Sequence, residues 1–533
     1  MPIAGLVKRQ TYRDSVALMV LSTALAERDG VLQASAMMAT PANLEILQAT
    51  GLCAEAFAEA GPNDLCVAVE ARDAEAVAAA LAQAEALLNA SPAARQSGFS
   101  GDRPAGVAWR PRTLQSAARA RPDANIAVIS VPGEHATLEA RQALLAGLHV
   151  FLFSDNVPLA DEIELKRLAT ARGLLLMGPD CGTASIGGAP LGFANAVRRG
   201  PIGVVGSSGT GLQEVTSLIH RLGGGVSHAL GTGSRDLYEE VGGATFLAAV
   251  DALAADPETQ VLVAVAKPGA PGVQARVLER LAASGKPTVV YFLGGARVGD
   301  HPGILEAHDL EHAARCAVAL ADGEQPPAVA PSDEVEAWAR QIVAGLSPGQ
   351  VAVRGLFAGG TLAQELSAAV VGGLQGAGVH RVDDVADDAS TGGAPGEVLR
   401  VGPHRVLDLG DDAYTQGRPH PLIDPRLRNA ELVAQAATGE VALFAIDVIL
   451  GTGSHPDPAE ALRPAINSAR EAAQARGARL EILASLCGTD QDAQGYERQR
   501  AGLEAAGVRV ARSSSMAAAV AARVAALLAE GSR

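Results

Sequence analysis

The sequence predicts a multidomain α/β protein built on parallel sheets, with a small α/β domain at its start. Three observations carry this. Short, nearly continuous apolar runs alternate with helical stretches of about twelve residues, the pattern of strands covered on both faces. Several of those runs end in glycine-rich turns that lead straight into a helix. The chain also has 533 residues, 48% of them apolar and 19% charged. That suffices for roughly three or four folded domains and excludes a chain disordered throughout.

The elements follow in order. Ile3–Lys8, Val31–Met38 and Asp64–Val69 read as strands, separated by helices at Ser15–Ala26 and Pro41–Thr50 and followed by one at Ala71–Asn89. This β-α-β-α-β-α order over residues 1–95 suits a small α/β or ferredoxin-like unit. Residues 90–118, rich in Ser, Pro, Gly and Arg, read as a linker. Regular alternation then begins. Strands are predicted at Ala124–Ser130, Gly147–Phe153 and Gly173–Met177, with helices at Glu134–Ala146 and Leu159–Arg172. A second unit has strands at Pro201–Val205, Gly225–Leu230, Gln260–Ala266 and Lys286–Phe292. Its helices are Leu212–Arg221, Thr245–Ala254 and Val273–Ser284. Residues 322–333 form a Pro-rich linker. Beyond it come a helix from Glu334 to Leu346, strand Gln350–Leu356 and helix Leu362–Val371. Strands Arg405–Leu409, Val441–Ile449 and Arg479–Leu486 follow, with helices Pro458–Ala475 and Tyr496–Ala506. Residues 375–404 read as irregular.

Composition narrows the function. Only 3% of residues are aromatic, so the cores must be built from Ala, Val, Leu and Ile. The net charge of -16 disfavours non-specific binding to nucleic acid or anionic lipid. A local site for a small anionic metabolite stays open. Cys53, Cys66, Cys181, Cys316 and Cys487 form no CxxC pair, so neither a disulfide scaffold nor a zinc cluster is expected. No apolar leader opens the chain, and no clean 18-residue membrane span is read in it. The expected location is cytoplasmic.

Chemistry is sought in the turns. Ser207-Ser208-Gly209-Thr210-Gly211 links a strand to a helix. Amides at a helix start have no intrahelical partners, so they suit an anion, and the hydroxyls add donors. The alternative is a plain helix cap. Gly451-Thr452-Gly453-Ser454 follows the buried-looking strand VALFAIDVIL and is read the same way. These two turns are predicted to share one anion, so a carboxylate at Gly209 or Gly453 is expected to abolish binding. Asp447 interrupts that strand near its carboxyl end, where ligands gather in parallel sheets. It suits either a ligand role or the tying of a neighbouring loop. Gly359-Gly360-Thr361 makes a third turn. Asp411 and Asp412 in a fourth suit a divalent ion, an amine or a turn cap, but fall short of a full ligand set, so no metal is assigned. Cys181, just past a strand end, is a candidate thiolate or a small buried turn residue. His301 is a candidate phosphoryl acceptor or a solvated loop residue.

Residues 177–215, MGPDCGTASIGGAPLGFANAVRRGPIGVVGSSGTGLQEV, resemble the FdrA-like proteins of the succinyl-CoA synthetase superfamily. GLFAGGTLAQE, DLGDDAYTQGRPHPLIDPRLR, GTGSHPDP and CGTDQDAQGYE are similar to the same family. The resemblance implies flavodoxin-like and Rossmann-like parallel sheets as in succinyl-CoA synthetase. It implies a CoA-binding-like domain at 96–199, an α-subunit-like domain at 200–321 and a β-subunit-like carboxyl-terminal domain at 334–533. That family carries a GPNC turn, matched here by Gly178-Pro179-Asp180-Cys181, and an SRSGT turn, matched by Ser207–Thr210. Its phosphohistidine lies in GHAGA, which is absent here, so His301 in GDHPG is a positional match only. Its histidine-orienting glutamate is replaced by Lys267, which cannot accept an imidazole proton but can neutralise an anion.

FdrA-like proteins are associated with oxamate carbamoyltransferase in purine-ureide catabolism. The resemblance therefore implies a transferase subunit that moves a carbamoyl group to or from phosphate. Partner subunits encoded nearby and a homo- or hetero-oligomer are expected with it. Phosphate or carbamoyl phosphate is the implied ligand and CoA a further one; Lys267, Asp447, Asp411 and Asp412 are the candidate catalytic residues. The alternatives are an acyl-CoA synthetase with a phosphorylated intermediate and a non-catalytic metabolite-binding scaffold.

Overall fold

The computed structural model describes residues 2–531 except 12, 14, 27, 29, 90–110, 295–297, 330–331, 378–395 and 416–417. Most of the expected linker at 90–118 and of the irregular stretch at 375–404 lies outside the described residues.

The amino-terminal unit has β1 (Ile3–Lys8), α1 (Ser15–Ala26), β2 (Val31–Met38), α2 (Pro41–Ala49), β3 (Leu65–Ala71) and α3 (Ala74–Asn89). Its sheet has the order β1-β3-β2, antiparallel throughout. The period-2 alternation of β3 sends Leu65, Val67 and Val69 to the face covered by α1 and α3. Cys66 and Ala68 face Leu47, Leu52 and Phe57 on the other side.

The second unit starts with α4 (Leu114–Ala120), β4 (Ile126–Ile129), α5 (Gly133–Leu145), β5 (His149–Leu152), α6 (Leu159–Ala171) and β6 (Leu176–Met177). α4 lies inside the expected linker. Thr113 and Ser116 cap its start reciprocally, a signal strong enough to make a helix of two turns. β4, β5 and β6 form a small parallel sheet.

Next come the hairpin β7 (Thr183–Ile186) and β8 (Ala189–Gly192), then β9 (Arg199–Gly206), α7 (Gly209–Arg221), β10 (Val226–Gly231) and α8 (Ala244–Ala255). They are followed by β11 (Val261–Ala266), α9 (Pro271–Ala283), β12 (Thr288–Phe292), β13 (Ile304–Glu306) and α10 (Leu310–Ala321). The sheet order is β13-β12-β11-β9-β10-β7-β8. Its parallel strands thus stand in the flavodoxin-like order 2-1-3-4-5, and the hairpin extends one edge antiparallel.

The last sheet uses α11 (Asp333–Ala344), β14 (Ala352–Phe357), α12 (Gly360–Gly376), β15 (Glu397–Val401), β16 (His404–Asp408), α13 (Asp412–Thr415) and α14 (Arg426–Ala436). β17 (Val441–Ile449), α15 (Pro458–Gln474), β18 (Ile482–Cys487), α16 (Tyr496–Ala505), β19 (Arg509–Ala511) and α17 (Ser514–Gly531) complete it. The order is β15-β16-β14-β17-β18-β19, with β15 antiparallel at the edge. Its parallel strands repeat the order 2-1-3-4-5. All nine residues of β17 are buried, as its central place requires. By length and composition α17 is apolar enough to cross a membrane, contrary to the sequence reading. Val520, Ala521, Val524 and Ala525 are nevertheless fully buried inside the protein.

Candidate functional site

In each flavodoxin-like sheet the first strand is interior, and the helix after it starts at the switch in strand order. Ligands bind outside the strand ends at such a point. β9 leads into α7, whose start is capped by Ser208 Oγ accepting from Gly211 N at 2.9 Å. β14 leads into α12 through Ala358 and Gly359. These two helix starts meet. Ser208 Oγ hydrogen-bonds Thr361 Oγ1. A Cβ on Gly359 would stand 2.9 Å from Thr210 Oγ1, so glycine is what lets the turns touch. The helices also share a spacing. Thr210, Gln213 and Glu214 on α7 match Thr361, Gln364 and Glu365 on α12. Both glutamates reach the start of α17. Ser514 N donates to Glu214 Oε1 at 2.8 Å, and Ser514 Oγ donates to Glu365 Oε2 at 2.6 Å.

Charge converges on the first turn of α12. Lys267 Nζ, just past β11, lies 3.3 Å from where a Gly360 Cβ would be, and Asp408 Oδ2, at the end of β16, lies against the same point. Burial raises the Asp408 carboxyl to about 7, against the pull of Lys267 and of the Gly410 amide. Sequence reading missed Asp408; its position at the end of an apolar strand is the signal that was available.

A small, partly open cleft lies beside the start of α7, with Asp180, Thr183, Ser207, Gly209 and Thr232 in its lining. Asp180 keeps solvent access, while the surrounding wall desolvates its carboxyl and raises it to about 6. Thr232 is fully buried, and its hydroxyl has no hydrogen-bond partner among the described residues. Sequence reading passed over it, because nothing in LGTGS separates a ligand-facing threonine from a turn residue.

Other predicted residues are placed differently. The turn Gly451–Ser454 does not open a helix: α15 begins at Pro458 and is capped by Asp457. Thr452 N instead donates to Ala194 O at 2.8 Å, and a Cβ on Gly453 would stand 3.0 Å from the Phe193 ring. The turn that meets Ser207–Gly211 is therefore Gly359–Thr361, and the expected sharing of one anion by Gly209 and Gly453 is corrected. Asp447 is fully buried and does not face the cleft. It accepts from Ala358 N at 2.8 Å, Gly359 N at 2.7 Å and Arg428 Nη1 at 3.1 Å. Burial raises its carboxyl against the pull of Arg428 and the two amides. It ties down the α12 turn.

Asp411 accepts from Ala413 N at 2.9 Å. Asp412 starts α13; burial raises its carboxyl, with Asp155 and Asp411 pushing the same way. Among the described residues no group of three or more His, Cys, Asp or Glu side chains is placed to hold a metal ion. Cys181 is buried, its thiol pushed up to about 12 by desolvation, so the thiolate reading is corrected. His301 lies in the loop before β13, and its ring makes no hydrogen bond among the described residues. The cleft lining contains no histidine.

Family comparisons agree with this architecture. Residues 356–524 match a family model described as CoA-ligase, and 197–294 one described as CoA binding domain. Residues 1–104 match the model described as AllF, heavy metal-associated domain. The chain is 41% identical to the uncharacterized protein YahF of Escherichia coli K12, over 97% of both chains. It is 29% identical to the succinate–CoA ligase alpha subunit 2 of Archaeoglobus fulgidus, over 34% of this chain and 66% of that one. It is also 29% identical to the ADP-forming sulfoacetate-CoA ligase subunit SauD of Bilophila wadsworthia, over 32% of this chain and 60% of that one. A solved acetyl-coenzyme A synthetase of Ca. Korarchaeum cryptofilum overlays 76% of this chain and 84% of that one, with 16% identity and a TM-score of 0.30.

The two relatives named for a reaction are CoA-ligase subunits, and residues 356–524 match a CoA-ligase model, so the expectation of a transferase is overturned. The chain belongs to the family of YahF, within the succinyl-CoA synthetase-like group of CoA-binding and CoA-ligase proteins.

Proposed function

We propose that this chain is an acyl-CoA ligase-type subunit. It holds the phosphoryl end of an activated acid where α7 and α12 begin, while the CoA thiol takes the acyl group. One observation carries the reading: the two helix starts meet at Ser208 and Thr361, with Lys267 beside them. Free amides and two converging helix fields favour an oxyanion, and an ammonium adds charge at the same point. Relatives named for succinate and sulfoacetate point to small acids as substrates. A partner chain supplies the nucleotide, so the working enzyme is an oligomer.

The test combines the purified chain with candidate partner subunits. Succinate or sulfoacetate, ATP and CoA are added, and the CoA thioester is followed. Lys267→Met and Gly360→Asp are each expected to remove turnover and to weaken phosphate binding, measured calorimetrically on the chain alone. Full turnover and unchanged phosphate affinity in both variants would refute the shared helix-start site. Phosphate binding without turnover, with folded partners present, would leave a metabolite-binding subunit.

A further inference from the structure

The cleft beside α7 combines donors with one misplaced-looking acceptor. Ser207, Ser208 and Gly209 bring hydroxyls and helix-start amides to one wall, and Asp180 stands in the lining with them. Its backbone is left-handed, φ 53°, a conformation that aspartate tolerates, and its amide is anchored on Ser154 O at 2.9 Å. Its side chain is exposed at the cleft and hydrogen-bonds Ser234. An acceptor there repels any ligand that has only acceptors to offer. It attracts one that keeps a proton.

Thr232 adds an independent observation. It lines the same cleft, is fully buried, and leaves its hydroxyl without a partner among the described residues. Its backbone is held in place. Its amide donates to Gly206 O at 2.9 Å, and its carbonyl accepts from the buried Lys166 Nζ at 3.1 Å. Buried hydroxyls are nearly always satisfied, so an unpaired one in a cleft wall points to a ligand atom as its partner.

We propose that Asp180 and Thr232 make this cleft selective for phosphate over sulfate. The α7 amides and the Thr232 hydroxyl hold the oxyanion, and the Asp180 carboxylate accepts the hydrogen that phosphate keeps at neutral pH and sulfate lacks. No bond is made or broken. The inference rests on the anion reading of the α7 start and adds which anion is accepted. The groups facing Asp180 are the Ser234 hydroxyl, Lys267, and the carboxylates of Asp155 and Asp412. With its carboxyl raised to about 6 by desolvation from the surrounding wall, Asp180 is an ionised acceptor above neutral pH.

The test is calorimetric titration of the full chain with inorganic phosphate and with sodium sulfate, slightly above neutral pH at fixed ionic strength. The native protein is expected to bind phosphate at least about tenfold more tightly than sulfate. Asp180→Asn turns an obligatory acceptor into a group that also donates, so sulfate should gain affinity until the gap closes. Thr232→Val should weaken both anions by about tenfold without lowering the melting temperature, because it removes an unpaired polar atom. Equal affinities in the native protein, or a gap that survives Asp180→Asn, would overturn the selectivity while leaving the anion site standing. Thr232→Val that melts lower and binds normally would make its hydroxyl structural and overturn its role. Binding of neither anion would overturn the anion reading of α7, and this inference with it.

Discussion

Asp447→Asn tests whether one buried carboxylate builds the α12 half of the site. Both carboxylate oxygens are committed: Oδ1 to Ala358 N and Arg428, Oδ2 to Gly359 N. Asparagine has the same shape but only one acceptor. Whichever way its amide turns, an NH₂ faces a backbone N–H, donor against donor. Arg428, 4% exposed, then loses its charge partner in a dry environment. Breaking a buried pair from one side costs about 3–5 kcal/mol, about two to nearly four powers of ten in local opening. Hydrogen exchange followed in a peptide spanning residues 352–362 should show Ala358 and Gly359 losing protection by at least about 100-fold. Phosphate affinity should fall with it, because the first turn of α12 is no longer held against Thr210. Unchanged exchange in that peptide, with unchanged phosphate binding, would refute the assignment.

Lys166→Met should lower the melting temperature sharply. It takes the shared cation from fully buried Glu162 and Asp236, paired with Lys166 at 3.0 and 2.6 Å, and leaves Glu162 with Arg235 at 2.9 Å and Asp236 with the amides of Thr245 and Phe246, at a cost of about 3 kcal/mol. Lys166→Met that melts like the native chain would refute this. Burial raises the Glu365 carboxyl to about 7, so the native state holds a proton that the unfolded chain releases near 4. The stability this proton contributes is present at low pH and lost as pH rises through about 7. Glu365→Gln should therefore gain melting temperature relative to the native protein between about pH 5 and 8, and a pH-independent difference would contradict the assignment. Iodoacetamide should label the native protein at exposed Cys53 alone. Cys66, Cys181, Cys316 and Cys487 are buried with raised thiols, and labelling of any of them without denaturant would contradict the packing described.

The sequence by itself determined the large elements and the fold class. Apolar runs such as VALFAIDVIL and amphipathic stretches such as that of α15 carry their periodicity locally, so β9, β11, β17, α7 and α15 were legible to within a few residues. Elements that owe their existence to neighbours were not. β13, β15 and β19 have three, five and three residues and are held by adjacent ladders. α17 is so uniformly Ala-rich that it shows no stripe, yet it is a core helix.

The glycine turn after β9 was legible as an anion cradle; its partner was not. Gly359–Thr361 and Gly451–Ser454 look alike in sequence, each following a buried strand. The choice between them depends on strand order. β14 is the first strand of a 2-1-3-4-5 sheet and β17 the third, so only the helix after β14 starts where it meets α7. Asp447 shows the same division: its chemistry was visible, but only β17 lying beside β14 decided that both its oxygens face the amides of Ala358 and Gly359. Local pattern encodes which residues bend, cap or bury. Which turn lies opposite which is set by sheet order, through contacts between residues far apart in the chain, and no local pattern records it.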